Sequence, residues 1–171
     1  KEGDREIFPF FFPCMSCYNC IKGEFGACKY RSRIPYQDFK YCNSGYSQYF
    51  VLRSPHFIFH SPKSLSDEAL VSLNCALAQV VEAFNFGKIN FGDNVVIQGA
   101  GALGIYATAV ARNMGANEVI VIDGHESRLK LAEKCGASKT INISQLQSSK
   151  ERIEFIFDYT NGIGADIAIE L

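Results

Sequence analysis

From residue 92 onward the chain alternates between short, wholly apolar runs and longer stretches of helical composition. Val95-Val96-Ile97 and Val119-Ile120-Val121-Ile122 are β-branched runs, followed by Thr140-Ile141-Asn142 and, near the end, Ile167-Ala168-Ile169. Runs without polar alternation suit strands covered on both faces, and strands alternating with helices form right-handed βαβ units around a parallel sheet. The pattern predicts strands over 95–97, 119–122, 140–142 and 165–171, with helices over 103–114, 127–134 and 145–159. Before residue 62 the pattern is different. Phe8, Phe10, Phe11 and Phe12 crowd around Pro9 and Pro13, four cysteines follow, and the aromatic alternation over 45–52 reads as a strand. Ser61-Pro62 is a break, and Ser66 is a good N-cap with Asp67 and Glu68 in the first turn, where the helix dipole favours acids. The helix-compatible stretch 67–86 is interrupted around Asn74-Cys75.

Composition narrows the class. With 47% hydrophobic and 20% charged residues, the chain is neither disordered, collagen-like nor a coiled coil. A net charge of −1 argues against a nucleic-acid or membrane-surface protein. No uninterrupted apolar run reaches the ~18–20 residues of a membrane span, and no secretion signal is visible, so a cytoplasmic protein is expected. Seven cysteines, an odd number, fit metal ligation or free thiols better than a disulfide framework. Lys1 is not an initiator Met and Leu171 closes a strand-like run, so the sequence reads as an interior piece of a longer chain.

Cys14, Cys17, Cys20 and Cys28 are spaced C-x2-C-x2-C-x7-C. Four thiolates so close in sequence can enclose one tetrahedral Zn²⁺, leaving no open position for chemistry. Gly23 and Gly26 let the chain turn before the last ligand, and Lys22, Lys29 and Arg31 are placed to offset the negative charge of four thiolates. An iron–sulfur run would bring its fourth cysteine sooner and follow it with Pro. A nucleic-acid zinc ribbon would use two separated C-x2-C pairs on a more basic chain. Four unrelated free thiols would not cluster so tightly.

Gly99-Ala100-Gly101-Ala102-Leu103-Gly104 follows the first apolar run and opens a helix, and Asp123 ends the next strand 19 residues past Gly104. That context turns a weak motif into a dinucleotide-binding fingerprint. Gly99 allows the tight turn, Gly101 lets the backbone approach a pyrophosphate, and Gly104 lets helix and strand pack closely. The phosphates would sit at the positive end of the helix, and Asp123 would accept from ribose hydroxyls while repelling a 2′-phosphate, which favours NAD.

Cysteine lobe, glycine loop and Asp123, in this order, resemble the zinc-containing medium-chain dehydrogenases, the alcohol, polyol and threonine dehydrogenase superfamily. Gly3-Asp4-Arg5, Gly45-Tyr46-Ser47-Gln48-Tyr49, Gly136-Ala137 and Gly162-Ile163-Gly164-Ala165-Asp166 extend the resemblance along essentially the whole chain. It implies an α/β fold: part of a GroES-like, β-rich catalytic domain over 1–75, with the zinc lobe at 14–28, then the first half of a doubly wound Rossmann sheet over 76–171. It implies structural zinc on Cys14, Cys17, Cys20 and Cys28, and places Cys75 where the family has a ligand of its catalytic zinc. Gly99, Gly101, Ala102, Leu103, Gly104, Asp123 and Arg128 would bind NAD, with Arg128 at the adenosine end. Cys42 and Cys135 are expected to be buried thiols, and His56, His60 and His125 surface or loop residues.

The sequence departs from the family pattern at Gln79, where a Thr is frequent, and at Asn43-Ser44-Gly45, which replaces Gly-Gly. The family's other catalytic-zinc ligands, a Cys and a Gly-His-Glu motif, lie upstream of the lobe, so the chain alone is expected to be inactive. The implied activity is hydride transfer between an alcohol, polyol or amino alcohol and NAD, with a small-molecule alcohol as substrate. A homodimer or homotetramer is expected, with neither nucleic acid nor membrane as partner. The alternative is a non-catalytic zinc- and nucleotide-binding module that kept the fold.

Overall fold

The apolar runs of the second half become the strands of one parallel sheet, seen in a computed structural model that describes residues 3–9, 11–31, 48–50, 52 and 57–171. Strands β3 (Asn94–Gln98), β4 (Glu118–Asp123), β5 (Lys139–Asn142) and β6 (Ile167–Glu170) stand in the order β5-β4-β3-β6. Between them run α4 (Ala102–Asn113), α5 (Glu126–Lys134) and α6 (Ser149–Tyr159). Because side chains alternate along a strand, Val95, Ile97, Val119 and Val121 face one core with Ala107, Ala111, Leu129 and Ala132 of α4 and α5. Val96, Ile120, Ile122 and Ile141 face the other core, with Ile156 of α6. The register pairs Val95 with Val119 and Ile97 with Val121, so each layer stays continuous across the sheet. Order reverses at β3, flanked by β4 on one side and β6 on the other, and such a switch point is where open α/β sheets bind ligands.

Two expectations change here. Helix α6 starts at Ser149 rather than 145, because Ser148 and Glu151 close a capping box while residues 145–146 turn back onto the Asn142 carbonyl. The strand near the end is shorter than 165–171, although Asp166 and Leu171 still donate to the carbonyls of Asn94 and Gln98.

The chain divides into two compact units, residues 1–74 and 75–171. In the first, β1 (Glu6–Ile7) pairs antiparallel with β2 (Phe59–His60). Helix α1 (Tyr18–Ile21) and a 3-10 turn (Phe25–Ala27) carry the cysteine lobe. Helix α2 (Asp67–Leu70) begins at Ser66, whose hydroxyl accepts from the Ala69 N–H at 3.3 Å. The Arg5 guanidinium ties β1 to this corner through the Leu65 carbonyl and the Asp67 carboxylate. Most of the strand expected over 45–52 lies outside the described residues, as do Cys42 and His56, and 48–50 and 52 are not in a strand.

Helix α3 (Ala78–Gly87) follows a π-helical segment, Leu73–Leu77, so the expected interruption at Asn74-Cys75 is a widened turn. The helical run Asp67–Gly87 is 21 residues long and holds an 18-residue window of mean hydropathy 1.4, enough by length and composition alone to cross a membrane. This corrects the expectation that no segment is long enough. Scattered polar residues hide the run from a search for unbroken apolar stretches, and only the π segment shows that the helix continues.

Candidate functional site

The four cysteines of the lobe converge, with all Sγ atoms within 4.8 Å of one another. Cys17 and Cys20 are 3.5 Å apart, and Cys14–Cys20 and Cys17–Cys28 are each 3.9 Å. Tetrahedral Zn²⁺ with Zn–S near ~2.3 Å requires sulfurs roughly 3.8 Å apart, whereas a disulfide requires ~2.05 Å. The donor set fits a structural zinc ion. Met15 lies in the left-handed region at φ 60°, and the turn it makes brings the Cys17 N–H to Cys14 Sγ at 3.3 Å. The N–H groups of Cys14 and Tyr30 donate to Cys28 Sγ at 3.3 and 3.4 Å, so the backbone is arranged for sulfurs that accept.

By the protein's own groups, the Ser16 N–H lowers the Cys14 pKa to about 6, while burial pushes Cys20 up to about 12. A dication holding all four as thiolates would therefore displace a proton from Cys20 at neutral pH. Gly23 supplies a left-handed turn at φ 82°, whereas Gly26 sits inside the 3-10 turn. Lys22 and Lys29 lie over the rings of Tyr18 and Tyr30, and Arg31 donates to the Gly26 carbonyl, so these cations surround the lobe through other groups.

At the end of β3 the glycines divide their work. Gly99 has φ 101°, and a Cβ there would run into the Leu171 carbonyl. A Cβ on Gly104 would collide with the Gly99 carbonyl oxygen and lie 2.8 Å from its carbon. A Cβ on Gly101 meets nothing within 4 Å, so its absence leaves room outside the protein's own packing. Gly101 is the N-cap of α4 and no side chain caps that end, so the first N–H groups, from Ala102 onward, are left for an anion to accept from. Ala102 is exposed and Leu103 packs on the core. This open cradle fits a pyrophosphate.

Asp123, at the end of β4, is buried beside the cradle. Its Oδ2 accepts from the Ala100 N–H at 2.8 Å, with Arg128 Nη1 3.9 Å away. Its Oδ1 accepts from the His125 N–H at 2.7 Å and lies 3.1 Å from His125 Nδ1. Burial alone would raise its pKa. The N–H groups of Ala100 and His125, the His125 ring and the Arg128 charge outweigh burial and hold the carboxyl below the usual carboxylate range.

One expectation needs correction and two gain detail. His125 is an exposed loop residue as expected, but its ring lies on Asp123; the Asp-x-His spacing, which lets an Asp side chain accept from the N–H two residues on, was the available signal. His60 is a surface residue as expected, in β2 and paired with Glu6 at 2.6 Å. Cys135 is half-buried at the C-cap of α5 rather than buried.

Cys75, in the π segment, is exposed, and its sulfur accepts from Gln79 Nε2 at 3.0 Å. Among the described residues, no group of three or more His, Cys, Asp or Glu that could hold a metal includes Cys75. The residues described therefore do not make up a catalytic metal site.

A four-cysteine lobe followed by a Rossmann glycine loop and its strand-end acid is the arrangement of a zinc-binding dehydrogenase fold. Residues 102–171 match the family described as zinc-binding dehydrogenase. The chain is 33% identical over 98% of its length to erythritol/L-threitol dehydrogenase of Mycolicibacterium smegmatis, of which it covers 44%. It is 32% identical over 99% of its length to L-threonine 3-dehydrogenase of Shewanella loihica, covering 46%. The crystal structure of an alcohol dehydrogenase from Thermotoga maritima superposes with a TM-score of 0.89 at 34% identity, over 99% of this chain and 48% of that one. These likenesses support a place in the zinc-containing medium-chain dehydrogenase family, and the chain spans under half the length of these relatives. Its fold covers parts of the family's GroES-like and Rossmann domains.

Proposed function

We propose that this chain carries the structural-zinc lobe and the adenosine half of the cofactor site of an oxidoreductase that passes hydride between an alcohol and NAD. The observation that carries the reading is Asp123, held at 2.8 Å to the Ala100 N–H beside the open N-terminus of α4. Bound NAD would supply the hydride acceptor. The chain's own part is to receive and orient it. The first N–H groups of α4 would hold the pyrophosphate, the gap at Gly101 would admit it, and Asp123 would accept from the ribose hydroxyls. The lobe takes no part in bond making; four mutually close thiolates around one ion stiffen a loop. A small-molecule alcohol and further copies of the same protein are the proposed partners, and the cytoplasm its proposed location.

The test is calorimetric titration of the chain with NAD⁺ and NADP⁺. Placing a 2′-phosphate against the Asp123 carboxylate costs about 3 kcal/mol, so NAD⁺ is expected to bind about 100-fold tighter. Asp123→Ser is expected to erase most of that ratio. Equal affinities in the unmodified chain, or a ratio that survives the substitution, would overturn the assignment. The lone Cys75 favours a second reading of the chain taken by itself, as a zinc- and nucleotide-binding module without turnover. Alcohol-dependent NAD⁺ reduction by the isolated chain would exclude that reading.

A further inference from the structure

The cofactor reading uses Asp123 and leaves His125 without a role; the inference that follows rests on that reading. His125 is the N-cap of α5, yet its side chain does not cap the helix. It turns back onto Asp123 instead. Backbone N–H and ring Nδ1 of the one residue reach Oδ1 at 2.7 and 3.1 Å, while Ala100 holds Oδ2 at 2.8 Å from the glycine loop. The carboxylate is thus gripped at both oxygens by two different segments. The terminal torsion of an Asp side chain is broad, so without such grips the oxygens would sweep a wide arc.

The exposures differ in a telling way: the Asp123 side chain is 8% exposed and the His125 side chain 69%. An exposed ring that gave up its hydrogen bond would be hydrated by water at little cost, and it keeps that bond to a buried carboxylate. Arg128 also faces the carboxylate, on Oδ2 at 3.9 Å, so the ring is the side chain that holds the Oδ1 edge.

We propose that His125 is a positioning residue for Asp123: its ring donates through Nδ1–H to Oδ1 and sets the rotation of the carboxylate that receives the adenosine ribose. It acts on ligand affinity through the acid, without touching the ligand. One hydrogen bond to a charged group, lost at an exposed edge, corresponds to an affinity change of about 3- to 10-fold.

The experiment is calorimetric titration of ADP-ribose into the 171-residue chain and four variants: His125→Ala, His125→Asn, Asp123→Ser and the Asp123→Ser/His125→Ala pair. The Asn amide nitrogen stands the same number of bonds from Cα as the ring Nδ1 and restores the donor. The expected result is a 3- to 10-fold weaker Kd for His125→Ala. His125→Asn should stay within about 2-fold of the unmodified chain, because the donor is retained. In the Asp123→Ser background, His125→Ala should have no further effect, because the partner through which it acts is gone. A wild-type affinity in His125→Ala overturns the proposal. So does an equal loss in both backgrounds, which would mean that the ring contacts the ligand itself. No measurable ADP-ribose binding by the unmodified chain, or an Asp123→Ser variant that binds like it, overturns the cofactor reading and this proposal together.

Discussion

Gly101 and Gly104 lie three residues apart in one motif, yet alanine at the two positions should fail in different ways. In a helix, replacing Gly by Ala ordinarily stabilises by about 0.5–1 kcal/mol, because the unfolded chain loses freedom. At Gly104 the new Cβ meets the Gly99 carbonyl, whose carbon would be 2.8 Å away. That neighbour is backbone at the turn out of β3 and has no rotamer to change. Overpacking of this kind costs about 1–3 kcal/mol, and a rigid partner puts Gly104→Ala at the upper end. The net loss is about 2 kcal/mol. For a unit the size of residues 75–171, about 4–8 °C of melting temperature accompanies each kcal/mol, so the midpoint should fall by about 8–16 °C. Gly101 has an ordinary φ of −70° and open space around its missing Cβ, so Gly101→Ala should melt within about 2 °C of the unmodified chain. Its methyl would instead stand where the pyrophosphate is proposed to sit, weakening ADP-ribose binding at least ~10-fold, or ~1.4 kcal/mol. Thermal melts followed by circular dichroism, paired with calorimetric titration, separate the two effects. A Gly104→Ala variant that melts like the unmodified chain would refute the close approach of α4 to the glycine loop. A Gly101→Ala variant with unchanged affinity would refute the cradle.

Elemental analysis should find about one zinc per chain and little iron, since the lobe offers one complete four-thiolate set; Cys17→Ser or a strong chelator should lower the melting temperature, and metal uptake should release protons into weak buffer. Asp123 titrates below its unfolded value, so its contribution to stability is fully present above the ordinary Asp pKa of ~3.9 and is lost as pH falls through the lower folded value. The stability gap between the unmodified chain and Asp123→Asn, measured by denaturant melts, should therefore stay flat from neutrality down to about pH 5 and shrink below about pH 4. A gap that widened on acidification would reverse the sign. The buried Thr160 hydroxyl donates to the Ile156 carbonyl at 2.7 Å and accepts from the Gly164 N–H at 2.8 Å. Thr160→Val strands that N–H, and urea melts should show a loss of about 1–3 kcal/mol.

What the sequence determined by itself is the local grammar of this chain. The β-branched runs at 95–97 and 119–122 announced strands covered on both faces, since only burial on two sides tolerates unbroken apolar residues. The cysteine spacing announced a four-thiolate lobe, and the glycine loop with Asp123 announced the cradle and its acid, because each motif lies within one or two adjoining elements. Tertiary structure decided what depends on groups distant along the chain or on a single torsion. The place of β6 beside β3 follows from pairing across more than sixty residues, between Val95 and Ile167. The grip on Asp123 by Ala100 and the His125 ring arises where two loops meet at the ends of neighbouring strands. The left-handed Met15 and the π turn around Cys75 are backbone states that residue type alone does not select, since Met and Cys prefer ordinary helical or extended angles. That Gly104 guards a close approach and Gly101 an open space follows from which atoms surround two glycines that are chemically alike.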